Sequence, residues 1–314
     1  MINNKTDIGL GLAALGRPEY INIRDNYTID KSVEAFRKNT FKVLDKAYQN
    51  GIRYFDTAPS YGKGEQFLLE WHQKNNHNDI VFGTKWGYTY VANWQLHFDG
   101  KHEIKEHSLE KLVEQWETSQ FLLPNLKYYQ IHSATLDSGV LENTAVHQKL
   151  AALSKKFNIK IGLSTSGVHQ SKIIEKALEI KANNKFLFDV FQITYNFLEQ
   201  SCLEAILKLK ELNKTIIIKE ALANGRVFKI DNNNFILKKL SEKYKVGIDA
   251  IAIRFVMDTV EPNVVISGAF STKQLEENLK AYDFKLTKGD LESLKSLKQN
   301  SESYWKVRNT LEWK

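Results

Sequence analysis

Residues that hold or move protons stand at the ends of three successive apolar runs in this chain. One run, Arg53 to Ala58, delivers Asp56, turns at Pro59 and Gly62, and sets Tyr61 five residues beyond the aspartate. A second, Ile80 to Trp86, carries Lys85 near its end, and a third, Leu126 to Ile131, is followed directly by His132. A free phenol titrates near ~10, so at neutral pH a tyrosine is a reluctant acid or base unless a neighbouring cation favours the phenolate. Lys85 is the candidate for that cation, and Asp56 for the carboxylate that holds its ammonium. Taken singly, each residue has an ordinary explanation: Asp56 and Thr57 cap a turn or helix, while Tyr61 and Lys85 face solvent. Their conjunction on three successive runs points to chemistry instead.

The runs belong to a longer series. Segments rich in β-branched and aromatic residues recur at Ile8 to Leu15, Ile52 to Ala58, Ile80 to Trp86, Tyr128 to Ala134, Ile159 to Ser164, Phe188 to Tyr195, Thr215 to Lys219 and Asn263 to Ala269. Each is too short for a helix and too continuously apolar for a half-exposed strand. Helical spacing fills the intervals, as at 108–116 and 171–180. Strict alternation predicts parallel strands with helical crossovers. With no Pro/Gly/Ser-rich linker to divide it, the expected α/β fold is a (β/α)8 TIM barrel forming a single domain over residues 1–314. A doubly wound open sheet is the alternative suggested by Gly9, Gly11 and Gly16, but the third glycine falls late and Arg17, Pro18 and Glu19 open a loop rather than a helix. Two long loops, 16–30 and 87–107, leave carboxyl ends of strands, where a barrel builds its active site. The tail 301–314 carries Tyr304, Trp305 and Trp313 and is expected to fold over the same face.

The order of Asp56, Tyr61, Lys85 and His132 on strand ends resembles the aldo-keto reductase family, and the similarity runs along nearly the whole chain. The resemblance implies that Tyr61 is the general acid toward a carbonyl oxygen while a hydride arrives from a nicotinamide. Lys85 would tune it, Asp56 would orient Lys85, and His132 would position and polarise the carbonyl. It also implies a cofactor site. Ser164 and Thr165 match the polar pair that holds the carboxamide, although the family commonly has Ser-Asn, and Gln192 completes that recognition. Lys219, Glu220, Ala221 and Leu222 match the loop over the pyrophosphate, with the Lys219 stem on the nicotinamide. Gly268, Ala269, Phe270 and Ser271, with Gln274, Glu277 and Asn278, match the phosphate and adenine site, where a turn into a helix amino terminus is a ready anion site. Phe270 and Gln274 stand where members preferring the phosphorylated cofactor often set cations, and Lys273 is the cation nearby. The expected cofactor is NADP(H), with NAD(H) the alternative.

The third-strand loop interleaves aromatic and hydrogen-bonding residues, a composition suited to a small polyhydroxy carbonyl. Trp86, Tyr88, Trp94, Tyr304 and Trp305 are the residues expected to line the substrate site. The expected reaction is reduction of an aldehyde or ketone. The alternatives are the same site oxidising a sugar at its anomeric carbon, and a non-catalytic barrel that senses cofactor.

Composition narrows the remaining classes. The net charge of +7 comes from scattered lysines without a long basic run, so neither a nucleic acid nor a membrane is an expected partner. Cys202 is the single cysteine, which excludes an intrachain disulfide and is read as packing. No signal-peptide core or membrane-length apolar stretch is present, and the expected setting is cytoplasmic, with a monomer as the default. His97, His102 and His107 share one loop but lack a helix to hold ligands at i and i+4, so no metal is expected.

Overall fold

The computed structural model describes residues 6–21, 30–182, 184–229 and 235–313. Eight parallel strands close a barrel in sequence order: β1 (Asp7–Gly11), β2 (Tyr54–Asp56), β3 (Val81–Trp86), β4 (Leu126–Ile131), β5 (Lys160–Ser164), β6 (Val190–Thr194), β7 (Thr215–Lys219) and β8 (Val264–Ser267). They are apolar on both faces because both are covered. Tyr54, Val190, Ile217 and Val264 pack against one another inside the barrel, while the larger core lies between sheet and helices.

The crossovers are α1 (Val33–Gln49), α2 (Gly64–Asn75), α3 (Leu109–Ser119), α4 (Thr144–Phe157), α5 (Gln170–Glu179) and α6 (Leu203–Glu211). Helices α7 (Phe235–Tyr244) and α8 (Ile248–Val260) share the interval before β8, and α9 (Thr272–Leu279), α10 (Lys288–Lys295) and α11 (Ser301–Asn309) follow it. Helix α1 shows how the pattern works. Ser32 caps it by accepting from the Ala35 amide, and Phe36, Thr40, Val43, Leu44 and Ala47 form one buried stripe.

The long intervals have more order than their composition suggests. Within 87–107, Tyr88–Tyr90 pairs antiparallel with Glu103–Lys105 and sets Tyr88 opposite Lys105. In the 16–30 loop, residues 22–29 lie outside the described residues. Among the described residues, no helix is long and apolar enough to cross a membrane.

Candidate active site

Register brings the four proton-handling residues to one end of the barrel. Asp56 of β2 is the partner of Gly83 in β3, and Lys85 lies two residues further along the same face of β3. A Cβ at position 83 would meet the Tyr54 hydroxyl at 2.2 Å, so glycine there lets that hydroxyl reach Asp56 Oδ1 at 3.0 Å. Gln192 Nε2 donates to the same oxygen at 2.8 Å. Lys85 Nζ donates to Asp56 Oδ2 at 2.5 Å and to the Thr57 carbonyl at 3.0 Å, with side-chain exposures of 0% for the lysine and 3% for the aspartate. The ammonium lies 4.7 Å from the centroid of the Tyr61 ring.

The Tyr61 phenol is not driven toward phenolate in this state. Burial raises it well above its ordinary value, the Asp56 charge adds to the rise, and Arg17 opposes it. It is therefore protonated, the form an acid needs. The His132 ring stands edge-on to Tyr61, with centroids 5.6 Å apart. Burial first, then Lys85 and Arg17, hold its imidazole well below the usual range, so it is neutral. A neutral imidazole that accepts the Ser60 hydroxyl at Nδ1, 3.3 Å away, carries its proton on Nε2 and can donate it to an oxygen. His107, itself lowered by burial to about 4, fixes the backbone here through Nε2 and the His132 carbonyl at 2.9 Å.

The tetrad opens on a cavity of about 1420 Å³. Arg17, 1% exposed, stands over Tyr61 with its guanidinium 5.1 Å from the ring centroid. It donates to the Ser60 carbonyl at 2.9 Å and to Glu103 at 2.6 Å, and its cation also faces the Tyr20 and Trp313 rings. Also on the cavity wall, Arg308 pairs with Glu220 at 2.9 Å, and Lys219 lies 3.8 Å from the same carboxylate. Burial alone would raise Glu220, but Arg308 and Lys219 outweigh it and hold the carboxyl at about 2. Ser133 and Glu220, each just past a strand end, adopt left-handed backbone with φ of 45° and 56°. Local bonds hold that strain: the Ser133 amide donates to Ser164 Oγ at 2.8 Å, and the Glu220 carbonyl accepts from Asn196 at 2.9 Å.

The cofactor candidates divide. Ser164, Gln192, Lys219, Glu220, Ala221 and Leu222 line the cavity, as do Gly268, Ala269, Phe270, Ser271, Gln274, Glu277 and Asn278. Thr165 does not; its hydroxyl turns into the barrel wall and donates to Gln170 at 3.0 Å. The Phe270 and Ser271 amides expected to await an anion are taken by Gln274 Oε1, at 2.8 and 3.3 Å, in the capping box of α9. Lys219 Nζ is spent on the Thr194 and Ser166 hydroxyls at 2.7 and 3.1 Å. The wall nevertheless suits a dinucleotide. Glu220 Oε2 and Asn224 Oδ1 are buried acceptors without partners on its surface, and ribose hydroxyls would satisfy them.

Of the expected substrate residues, Tyr88 and Trp305 line the cavity. The other three lie away from it. Trp86, next to inward-facing Lys85, points outward into the core beneath the helices. Trp94 packs edge-on against Phe36 and donates its indole N–H to the Lys31 carbonyl at 2.8 Å. Tyr304 is buried under Arg226, with its hydroxyl 3.0 Å from the Asn196 amide. In their place stand Trp313, on the tail expected over this face, and Arg17, Tyr20, Glu103, Lys105 and Arg308, which sequence reasoning left unnamed as site residues. Their one sequence signal was location, in the two long loops and the tail. The three loop histidines stand apart from one another: His97 is exposed beside Glu19, His102 stacks on Trp313 at 4.3 Å, and His107 meets the His132 carbonyl. Among the described residues, no group of three or more His, Cys, Asp or Glu is placed to hold a metal ion. Cys202 is buried, its thiol raised by burial to about 11.

Comparisons with known proteins agree with one another. The sequence model of the Aldo/keto reductase family matches residues 7–299. The aldo-keto reductase str7 of Strobilurus tenacellus is 24% identical over 295 residues, covering 83% of this chain and 82% of that protein. Among solved structures, the aldo-keto reductase AKR11C1 of Bacillus halodurans superposes with a TM-score of 0.69 at 18% identity, covering 94% and 93% of the two chains. MGS-M4, an aldo-keto reductase from a deep-sea metagenome, gives 0.65 at 21% identity over 94% and 91%. At that identity the superpositions speak for the fold.

Proposed function

The chain belongs to the aldo/keto reductase family, and from that premise we propose that it reduces an aldehyde or ketone to an alcohol with Tyr61 as the proton donor. The reduced nicotinamide supplies the hydride when bound. The observation that carries the reading is the buried Lys85–Asp56 pair at 2.5 Å, set beneath a Tyr61 that burial keeps protonated.

The roles follow from the geometry. Tyr61 gives its phenolic proton to the carbonyl oxygen as hydride reaches the carbon, and is left as a phenolate that solvent reprotonates. An unpaired phenolate is costly in a buried site, so it needs the cations beside it. Lys85, held by Asp56, and Arg17, held by Glu103 and the Ser60 carbonyl, supply them. Neutral His132 donates from Nε2 to the same carbonyl oxygen, which orients and polarises it. Ser164 and Gln192 would hold the carboxamide end of the cofactor; Lys219, Glu220, Ala221 and Leu222 would flank its diphosphate. Gly268 to Ser271, with Gln274, Glu277 and Asn278, would meet the adenosine. NADP(H) is the preferred form, with Lys273 the cation for a 2′-phosphate. NAD(H) is the alternative, and oxidation of a sugar is the same chemistry reversed.

The test follows consumption of NADPH and of NADH, by absorbance, over a panel of aldehydes and aldoses, with Tyr61→Phe alongside. Loss of one general acid lowers turnover by about 10²–10⁴-fold, while cofactor binding, read by quenching of tryptophan fluorescence, should persist. Equal turnover in Tyr61→Phe would remove the tyrosine from the mechanism.

A further inference from the structure

The charges on the wall of the catalytic end do not balance. Arg17 is matched by Glu103, Lys85 by Asp56, and Arg308 and Lys219 share Glu220. Lys105, beside Tyr88 near the tetrad, has no such match. Its Nζ donates to two neutral acceptors, the Ser133 carbonyl at 3.1 Å and Thr135 Oγ1 at 3.3 Å. Among the described residues no carboxylate forms an ion pair with it; Asp137 acts on it only at longer range. The residue is half-buried and lines the cavity. A half-buried ammonium without a counterion has given up hydration for no ionic partner, a cost that an arriving anion would return.

Position makes that cation relevant to substrate. The hairpin sets Lys105 opposite Tyr88, with Nζ 5.4 Å from the Tyr88 ring centroid, and that ring packs on His132 with centroids 4.8 Å apart. One aromatic ring therefore separates the ammonium from the imidazole that would hold the carbonyl. The Tyr88 phenol also feels the charge of Arg308 from α11. That arginine holds Glu220 through Nη2, while its buried Nε lacks a partner and its side chain lines the same cavity.

We propose that Lys105, assisted by Arg308, forms an anion subsite across Tyr88 from the tetrad, and that the preferred substrate is a small carbonyl compound carrying a carboxylate or a phosphate. The proposal rests on the carbonyl-reductase reading and deepens it. In the productive pose the carbonyl oxygen meets Tyr61 and His132 while the anion meets Lys105, with Tyr88 covering the atoms between. Lys105 is a specificity residue here; it takes no part in moving the proton.

The experiment compares matched pairs: 4-carboxybenzaldehyde against its methyl ester, and glyceraldehyde 3-phosphate against glyceraldehyde. Each is run with wild type, Lys105→Met and Lys105→Arg. Wild type should favour the charged member of at least one pair by about tenfold or more in kcat/KM, expressed mainly in KM. Lys105→Met should bring that ratio near one, and Lys105→Arg should restore most of it. Whichever pair discriminates identifies carboxylate or phosphate. A ratio near one in wild type for both pairs, or a preference that survives Lys105→Met, overturns the subsite. Calorimetric titration of 4-methylbenzoate against 4-methylbenzamide and of inorganic phosphate gives a second readout independent of turnover. If no aldehyde is reduced, the carbonyl reading fails by itself, and anion binding that weakens in Lys105→Met still supports the subsite, whereas no anion binding ends it.

Discussion

At the scale of single residues, the Lys85–Asp56 pair has both a chemical and a structural role, and the two can be separated. Asp56 accepts from Lys85, Tyr54 and Gln192 inside the barrel, so removing the lysine leaves a buried carboxylate without its cation. Lys85→Met should cost about 3–5 kcal/mol in chemical denaturation. Adding Asp56→Asn removes the stranded charge and should recover most of that stability. Turnover should stay lost in the double variant, because the phenolate of Tyr61 then lacks its nearest ammonium. Recovery of activity together with stability would mean that the pair is structural alone.

At the scale of elements, the back of the site depends on a carboxyl group shared by three of them. Glu65, in the first turn of α2, accepts from Thr84 of β3 and from Ser119 at the end of α3, the latter at 3.0 Å. Burial raises its pKa to about 7, with the two hydroxyls partly opposing. Since the folded value lies above the ordinary 4.5, the folded chain holds the proton more tightly than the unfolded chain. The associated stability is present in full below the unfolded pKa and is lost as pH rises through about 7. Glu65→Gln keeps the shape and cannot ionise. Between acid and neutral pH its melting temperature should therefore fall less than that of wild type, and parallel curves would place the proton elsewhere.

At the scale of the whole molecule, segments far apart in the chain close one mouth. Trp313 of the tail stacks on His102 of the third-strand loop and lies under Arg17 of the first, with ring and guanidinium 4.7 Å apart. Arg17 and His102 are buried but Trp313 itself is half-exposed, so its contacts are worth about 1 kcal/mol to folding. Trp313→Ala should accordingly shift the melting temperature little while raising KM for the carbonyl substrate severalfold. A collapse in stability instead would make the tail part of the barrel's core rather than its cover.

Periodicity determined the barrel. Eight β-rich runs separated by helical spacing have few ways to bury both faces of every strand, and residues at strand ends inherit a common location from that closure. For that reason Asp56, Tyr61, Lys85 and His132 could be grouped from the sequence alone. Side-chain alternation along a strand also separates neighbours: if Lys85 faces inward, Trp86 must face out, as Ser164 and Thr165 divide between cavity and wall. Only the tertiary structure decided which cation meets which carboxylate, since Arg17 and Glu103, or Glu220 and Arg308, are joined across loops with no periodic signal. It also decided the charge state of Tyr61. Desolvation by the surrounding fold outweighs the Arg17 guanidinium, and no spacing of residues along the chain reports how much water a side chain has lost.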